Sequence, residues 1–198
     1  MESISVNKQS RGMFMKEKPI IFSSEMVRAI LNNKKSQTRR IVKPQPNKVD
    51  PRSINTNIPS RLNCPYGYAG NRLWVRETWF KDEYGFQYKS ENEQIITDKF
   101  KGHWKPSIFM PKEASRITLE ITNIRIERLL DISDDDAIAE GIEEKLYLGF
   151  IAYKGYHKSN ITCSTPKCSY LSLWDSINGI GSHKNNPYVW VIEFKALL

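Results

Sequence analysis

Apolar and polar positions alternate most cleanly near residue 120. Ile117, Leu119 and Ile121 share one phase and Thr118, Glu120 and Thr122 the other, a period of two that predicts a half-buried strand. The pattern runs through Asn123 into Ile124-Arg125-Ile126-Glu127, where the phase slips by one residue, as at a β-bulge or a barrel bend. Ile20-Ile21-Phe22 predicts a short strand, and Val189 to Phe194 a buried closing strand. Leu73 to Phe80, rich in aromatic and β-branched residues and preceded by Gly67 and Gly70, reads as one further strand. Helical spacing shows in Met26, Val27, Ile30 and Leu31, with Ser23 or Ser24 as N-cap, Glu25 in the first turn and Asn32-Asn33 as the stop. A second helix opens at Ser133 with Asp134, Asp135 and Asp136 in its first turn and ends at Gly141. A third covers Tyr170 to Ile177, before Asn178-Gly179.

Between these elements the pattern weakens. Lys43-Pro44-Gln45-Pro46 opens a polar connection to about Pro65, residues 81–112 predict hairpins and loops, and 143–168 form a Tyr- and Lys-rich insertion without periodicity. Short strands separated by turns, with few helices and no regular strand–helix alternation, predict an α+β fold or barrel rather than a doubly wound sheet. At 198 residues the chain reads as one domain over 17–198 behind a flexible polar leader, 1–16.

Charge adds a partner class. Thirty Lys+Arg against 22 Asp+Glu give +8, which favours phosphate backbones and puts nucleic acid first among partners. No apolar run reaches the roughly 18 residues of a membrane span, and Met1–Met15 lacks a secretory signal. Three cysteines, Cys64, Cys163 and Cys168, suit a reducing compartment, so the expected location is cytoplasmic. Cys163 and Cys168 with His157 or His183 offer only a loose zinc spacing, and no metal or cofactor is expected.

Two segments carry candidate chemistry. Glu140 sits in the last turn of its helix, where a carboxylate meets the negative end of the dipole; neighbouring cations such as Lys34-Lys35 would change its standing. In Lys35-Ser36-Gln37-Thr38-Arg39-Arg40, residues 35 and 38 share a side if the segment is a helical turn and lie on opposite faces if it is extended. A hydroxyl beside a neutral amine suits nucleophilic catalysis, which demands a lysine pKa well below about 10.4. Burial and Arg39 or Arg40 favour that; a contacting Glu140 opposes it. Read alone, the segment is a basic turn that grips phosphate rather than a nucleophile with its base. Arg76 shares a strand face with Trp74, and Glu77 with Trp79. One face must be core, while the other can pair arginine with phosphate and indole with a base.

The order of these pieces resembles the ASCH family: a helix, Lys35-x-x-Thr38-x-Arg40, Gly70-Asn71-Arg72-Leu73-Trp74-Val75, Ala137-Ile138-Ala139-Glu140-Gly141, and Val191-Ile192-Glu193-Phe194. It is similar above all to larger phage and prophage members, through Cys64-Pro65-Tyr66-Gly67, Trp74-Val75-Arg76-Glu77-Thr78-Trp79, Leu173-Trp174-Asp175-Ser176-Ile177-Asn178-Gly179 and Asn186-Pro187. The resemblance implies a PUA-like β-barrel with a few short peripheral helices and a cleft for RNA or a modified nucleoside. It extends to the small bacterial amidohydrolases that deacetylate N4-acetylcytidine, whose lysine, threonine and glutamate match Lys35, Thr38 and Glu140. It implies that Thr38 attacks the acyl carbonyl, Lys35 activates it, Glu140 carries the proton to the leaving amine, and Arg40 holds an oxygen at the site's edge. Arg39 stands where those enzymes have an apolar residue, and the segments 81–112 and 143–168 are additions to them. The expected function is therefore hydrolysis of an N4-acylated cytidine or related base. The alternative is an RNA-binding module, or ribonuclease, using the same cleft, with Arg39, Arg40, Trp74, Arg76 and Glu77 as contacts.

Overall fold

The computed structural model describes residues 17–46, 64–91, 103–156 and 162–197. The expected leader, most of the proline-bearing connection and His157 lie outside the described residues. Among the described residues, ten strands and three α-helices follow in order. They are β1 Glu17–Ile21, α1 Ser24–Leu31, β2 Gln37–Ile41, β3 Arg72–Arg76, β4 Trp79–Asp82, β5 Gly85–Tyr88, β6 Thr118–Arg128, α2 Asp134–Ala139, β7 Glu144–Tyr147, β8 Phe150–Lys154, β9 Thr162–Cys163, α3 Pro166–Asn178 and β10 Tyr188–Leu197. The class is mixed α+β.

The main sheet has five strands in the order β1-β3-β6-β10-β2, with β1 parallel to β3 and the other pairs antiparallel. β6 and β10 form its spine: β6 buries Leu119, Ile121 and Ile126, and β10 is buried on both faces from Val189 to Ile192. Their register shifts where Glu193 pairs with Asn123 and Phe194 with Ile121, so Thr122 is the extra residue of a bulge. The phase slip in the sequence is that bulge: Leu119 and Ile121 are buried before it and Ile126 after it. One core cluster on this sheet combines Leu73, Val75, Ile117, Leu119, Ile121, Ile126 and Ile192 with Phe22, which follows β1, and Val27 and Ile30 of α1. A second joins Val189 and Val191 to α2, β8, β9 and α3 through Ala137, Tyr153, Cys163, Tyr170 and Trp174.

The helix signals operate as their chemistry requires. The Ser23 hydroxyl accepts from the Met26 amide, that of Ser133 from Asp136, and that of Thr165 from Cys168, each cap contributing about 1 kcal/mol. α3 begins at Pro166, four residues before the apolar spacing suggested, because Thr165-Pro166 supplies cap and first turn.

Two expectations change. The strand read over Leu73 to Phe80 is two strands in different sheets, β3 in the main sheet and β4 in a hairpin with β5. The chain breaks at Glu77, whose buried carboxylate binds Arg116 at 3.0 Å and the Ser90 hydroxyl. Residues 143–168, read as aperiodic, contain the three-stranded sheet β7-β8-β9 before α3 begins.

Candidate functional site

The site grows from β2, a strand of Gln-Thr-Arg-Arg-Ile whose first three side chains are buried. It pairs only with β10, Thr38 opposite Ile192 and Arg39 opposite Val191, so its other edge carries no ladder among the described residues. The Lys35–Thr38 segment is thus not a helical turn. Lys35 forms an isolated bridge with Glu140, and Ser36 joins both neighbours, its amide donating to the Ala139 carbonyl at 2.9 Å and its carbonyl accepting from the Phe194 amide at 2.8 Å. These pairings outweigh the weak local preference of a polar stretch.

Glu140 caps the C-terminus of α2, where the dipole disfavours a carboxylate, yet it is 5% exposed. Two cations compensate. Lys35 Nζ, with its side chain fully buried, donates to Glu140 Oε2 at 2.8 Å and to the Glu140 carbonyl at 2.7 Å. Arg39 Nη1 donates to Oε1 at 3.1 Å. Gly141, at φ +95°, lets the chain leave the helix at that point. A Cβ there would stand 3.1 Å from the Ala29 Cβ and 3.3 Å from the Lys35 Cβ, so the glycine lets α2 approach Lys35 closely.

Arg39 is the hub of the acidic side. It also reaches Glu127 through Nε at 3.0 Å and Asp136 through Nη2 at 2.8 Å, and its guanidinium lies 5.7 Å from the Tyr170 ring centre. Arg125 extends the network to Asp136 at 2.9 Å and to Glu193. A buried guanidinium is tolerated because its donors meet carboxylates.

The surroundings of Lys35 shift its amine toward the neutral form. Burial pushes the Lys35 pKa down, and Arg40 and Arg39 add to that, while the Glu140 charge and hydrogen bond pull it up; the net direction is downward. Burial, reinforced by Glu140, holds the Tyr170 hydroxyl well above the ordinary tyrosine value.

A small cleft of about 80 Å³, partly open to solvent, lies against this cluster. Four consecutive β2 residues, Thr38 to Ile41, line it. Successive side chains of a strand point to opposite faces, so the cleft runs along the free edge of β2 rather than over one face. Met26 of α1, Glu140 of α2, and Tyr170, Leu173, Trp174, Ile177 and Asn178 of α3 complete the wall. Glu140 therefore touches Lys35 and faces the cleft at once. The Thr38 hydroxyl makes no hydrogen bond among the described residues. Two buried donors of the wall, Arg40 Nε and Trp174 Nε1, also have no partner among them. Arg40 Nη2 meanwhile donates to the Ile21 carbonyl at 2.6 Å, and its guanidinium lies 5.3 Å from the Phe22 ring centre.

Thr38, Arg39, Arg40 and Glu140 thus line one cleft, which Lys35 joins through Glu140, whereas Trp74, Arg76 and Glu77 do not line it. Arg76 lies 5.2 Å from the half-buried Trp74 ring and donates through Nε to the Met110 carbonyl at 2.9 Å. Glu77 belongs to the separate Arg116–Ser90 network, and Trp79 packs with Met110 and Ala114 in a third apolar cluster. Sequence reasoning missed Glu127, Asp136, Tyr170 and Trp174. The last two are four apart on one helix, a spacing that marks a shared face; nothing local marked the carboxylates as partners of Arg39. His183 is likewise structural: Asp175 accepts from its ring at 2.8 Å and from the Gly181 and His183 amides, fixing the turn after α3.

Fold and site together define a class: an α+β protein with a buried lysine–glutamate–arginine cluster beside a cleft at a sheet edge. Compared with family models, with curated proteins and with solved structures, the chain gives no match in any of the three.

Proposed function

We propose that the protein is an ASCH-type hydrolase of an N4-acylated cytidine or a related modified base, with Thr38 as nucleophile. The observation that carries the reading is the buried Lys35 amine, shifted toward its neutral form and hydrogen-bonded to a glutamate that also faces the cleft holding Thr38. A neutral amine is a base, and a carboxylate in contact with it passes the proton onward.

In the proposed reaction the Thr38 hydroxyl attacks the acyl carbonyl carbon and its proton goes to Lys35 as the substrate closes the cleft. Glu140 relays a proton to the departing N4 amine, the C–N bond breaks, and the acyl group remains as a threonine ester. Water, deprotonated by the same pair, then releases the carboxylic acid and restores Thr38. The unpartnered Arg40 Nε and Trp174 Nε1 suit an oxygen that bears negative charge in the transition state, because both can only donate. The PUA-like barrel belongs to the same proposal. Supporting it are the β6 bulge and the Arg40 link to Ile21, which ties the two edge strands of the sheet.

A second reading, an RNA-binding module, is favoured by the +8 charge and the Arg76–Trp74 pair. Mass analysis of protein quenched during incubation with N4-acetylcytidine separates the two. The hydrolase reading expects an acetyl adduct on the peptide carrying Thr38. An adduct elsewhere, or none together with steeply salt-dependent RNA binding, rejects it.

A further inference from the structure

Away from the cleft, the β7–β8 hairpin stands out because its tip is apolar and bare. Leu146 is 79% exposed, Tyr147 45%, Leu148 82%, Phe150 76% and Ile151 65%. Register places Leu146 opposite Ile151 and Tyr147 opposite Phe150, so the two pairs point to opposite faces and each face of the arm is apolar. The turn uses Leu148 at φ +50° and Gly149 at φ +84°, a tight geometry that holds the tip in place. At its base the arm is anchored: Tyr153 and Cys163 sit in the second core cluster, and Lys154 pairs with Glu25 at 2.8 Å. β7 is also an edge strand, with every residue exposed and no ladder on its outer side among the described residues.

A rigid arm with two apolar faces and a free backbone edge is costly to leave in water. We propose that this hairpin is a dimerisation arm whose occupant is a second copy of the chain, paired edge to edge along β7 about a two-fold axis. Weighted by their exposures, the five side chains present on the order of 700 Å² over both faces and the tip, the upper limit of what the arm can bury, against roughly 800 Å² per partner in a stable complex. Charge supports the assignment. Antiparallel pairing of Glu144-Lys145-Leu146-Tyr147 with itself, centred between Lys145 and Leu146, sets Lys145 of each copy diagonal to Glu144 of the other. The same carboxylates, with Glu143, oppose a phosphate backbone or an anionic membrane.

The test is sedimentation equilibrium of the full chain over micromolar concentrations, for wild type and for Leu146→Lys/Phe150→Lys. Both substituted residues are exposed, so the circular dichroism spectrum is expected to match wild type. Wild type is expected at twice the 23.0 kDa of one chain and the double variant at the single-chain mass. Ile180→Lys, which alters an exposed apolar residue outside the arm, is expected to leave the dimer intact. A wild type at single-chain mass throughout, a larger assembly, or a dimer that survives the double substitution would each overturn the proposal. Single-chain wild type that co-sediments with phosphatidylcholine–phosphatidylserine vesicles would overturn it in favour of a membrane.

Discussion

Glu140 holds two buried cations, and its removal leaves both without their shared counter-charge. Lys35 would keep only the residue 140 carbonyl, and Arg39 would keep Glu127 and Asp136. Glu140→Ala is therefore expected to destabilise the protein by about 3–5 kcal/mol, read as a lower urea midpoint at unchanged slope. Thr38→Ala, which removes a hydroxyl that makes no hydrogen bond among the described residues, is expected to cost within about 1 kcal/mol. Equal losses in the two variants would contradict the distinction drawn between them. In the proposed reaction Lys35 supplies the pH dependence. Only its neutral form takes a proton, so kcat/KM on N4-acetylcytidine is expected to rise with pH through an ionisation below the roughly 10.4 of free lysine. The linked stability has the same sign. Charging Lys35 penalises the folded state in full below its lowered pKa, and the penalty fades as pH rises and is gone above about 10.4. A rate that falls with pH across that window would exclude Lys35 as the base.

At the scale of elements, the site depends on how closely α2 approaches the Lys35 turn. Gly141→Ala adds a methyl 3.1 Å from the Ala29 Cβ, at a φ of +95° that alanine resists. A cost of roughly 1–3 kcal/mol is expected in thermal or urea unfolding, with a larger proportional loss of activity because Lys35 is displaced; a neutral substitution would contradict this packing. Elements with strong periodicity were the legible ones. The β6 alternation and its slip announced both the strand and its bulge, and α1 and α2 carried their caps in plain view. β2 was hidden because Gln-Thr-Arg-Arg-Ile has no alternation: its polar side chains are buried by distant carboxylates and by β10, not by a local apolar face. β7 was hidden for the opposite reason, since its apolar residues occupy both faces.

For the whole molecule, composition bounded the α+β class and length a single-domain scale, but long-range pairing decided the site. Lys35 and Glu140 lie 105 residues apart and Arg39 and Glu127 lie 88 apart, separations no sequence window reports. Among the described residues no helix is long and apolar enough to cross a membrane. The central claim concerns what the assembled cleft does, and the most direct test is turnover of N4-acetylcytidine by the purified full chain, with products separated and Thr38→Ala and Lys35→Ala run beside it. The account predicts cytidine and acetate from wild type, no turnover by Thr38→Ala, and a loss of about 10²–10⁴-fold in Lys35→Ala. Turnover that persists undiminished in both variants would contradict it, as would a wild type inert toward N4-acetylcytidine and other N4-acylated cytidines alike.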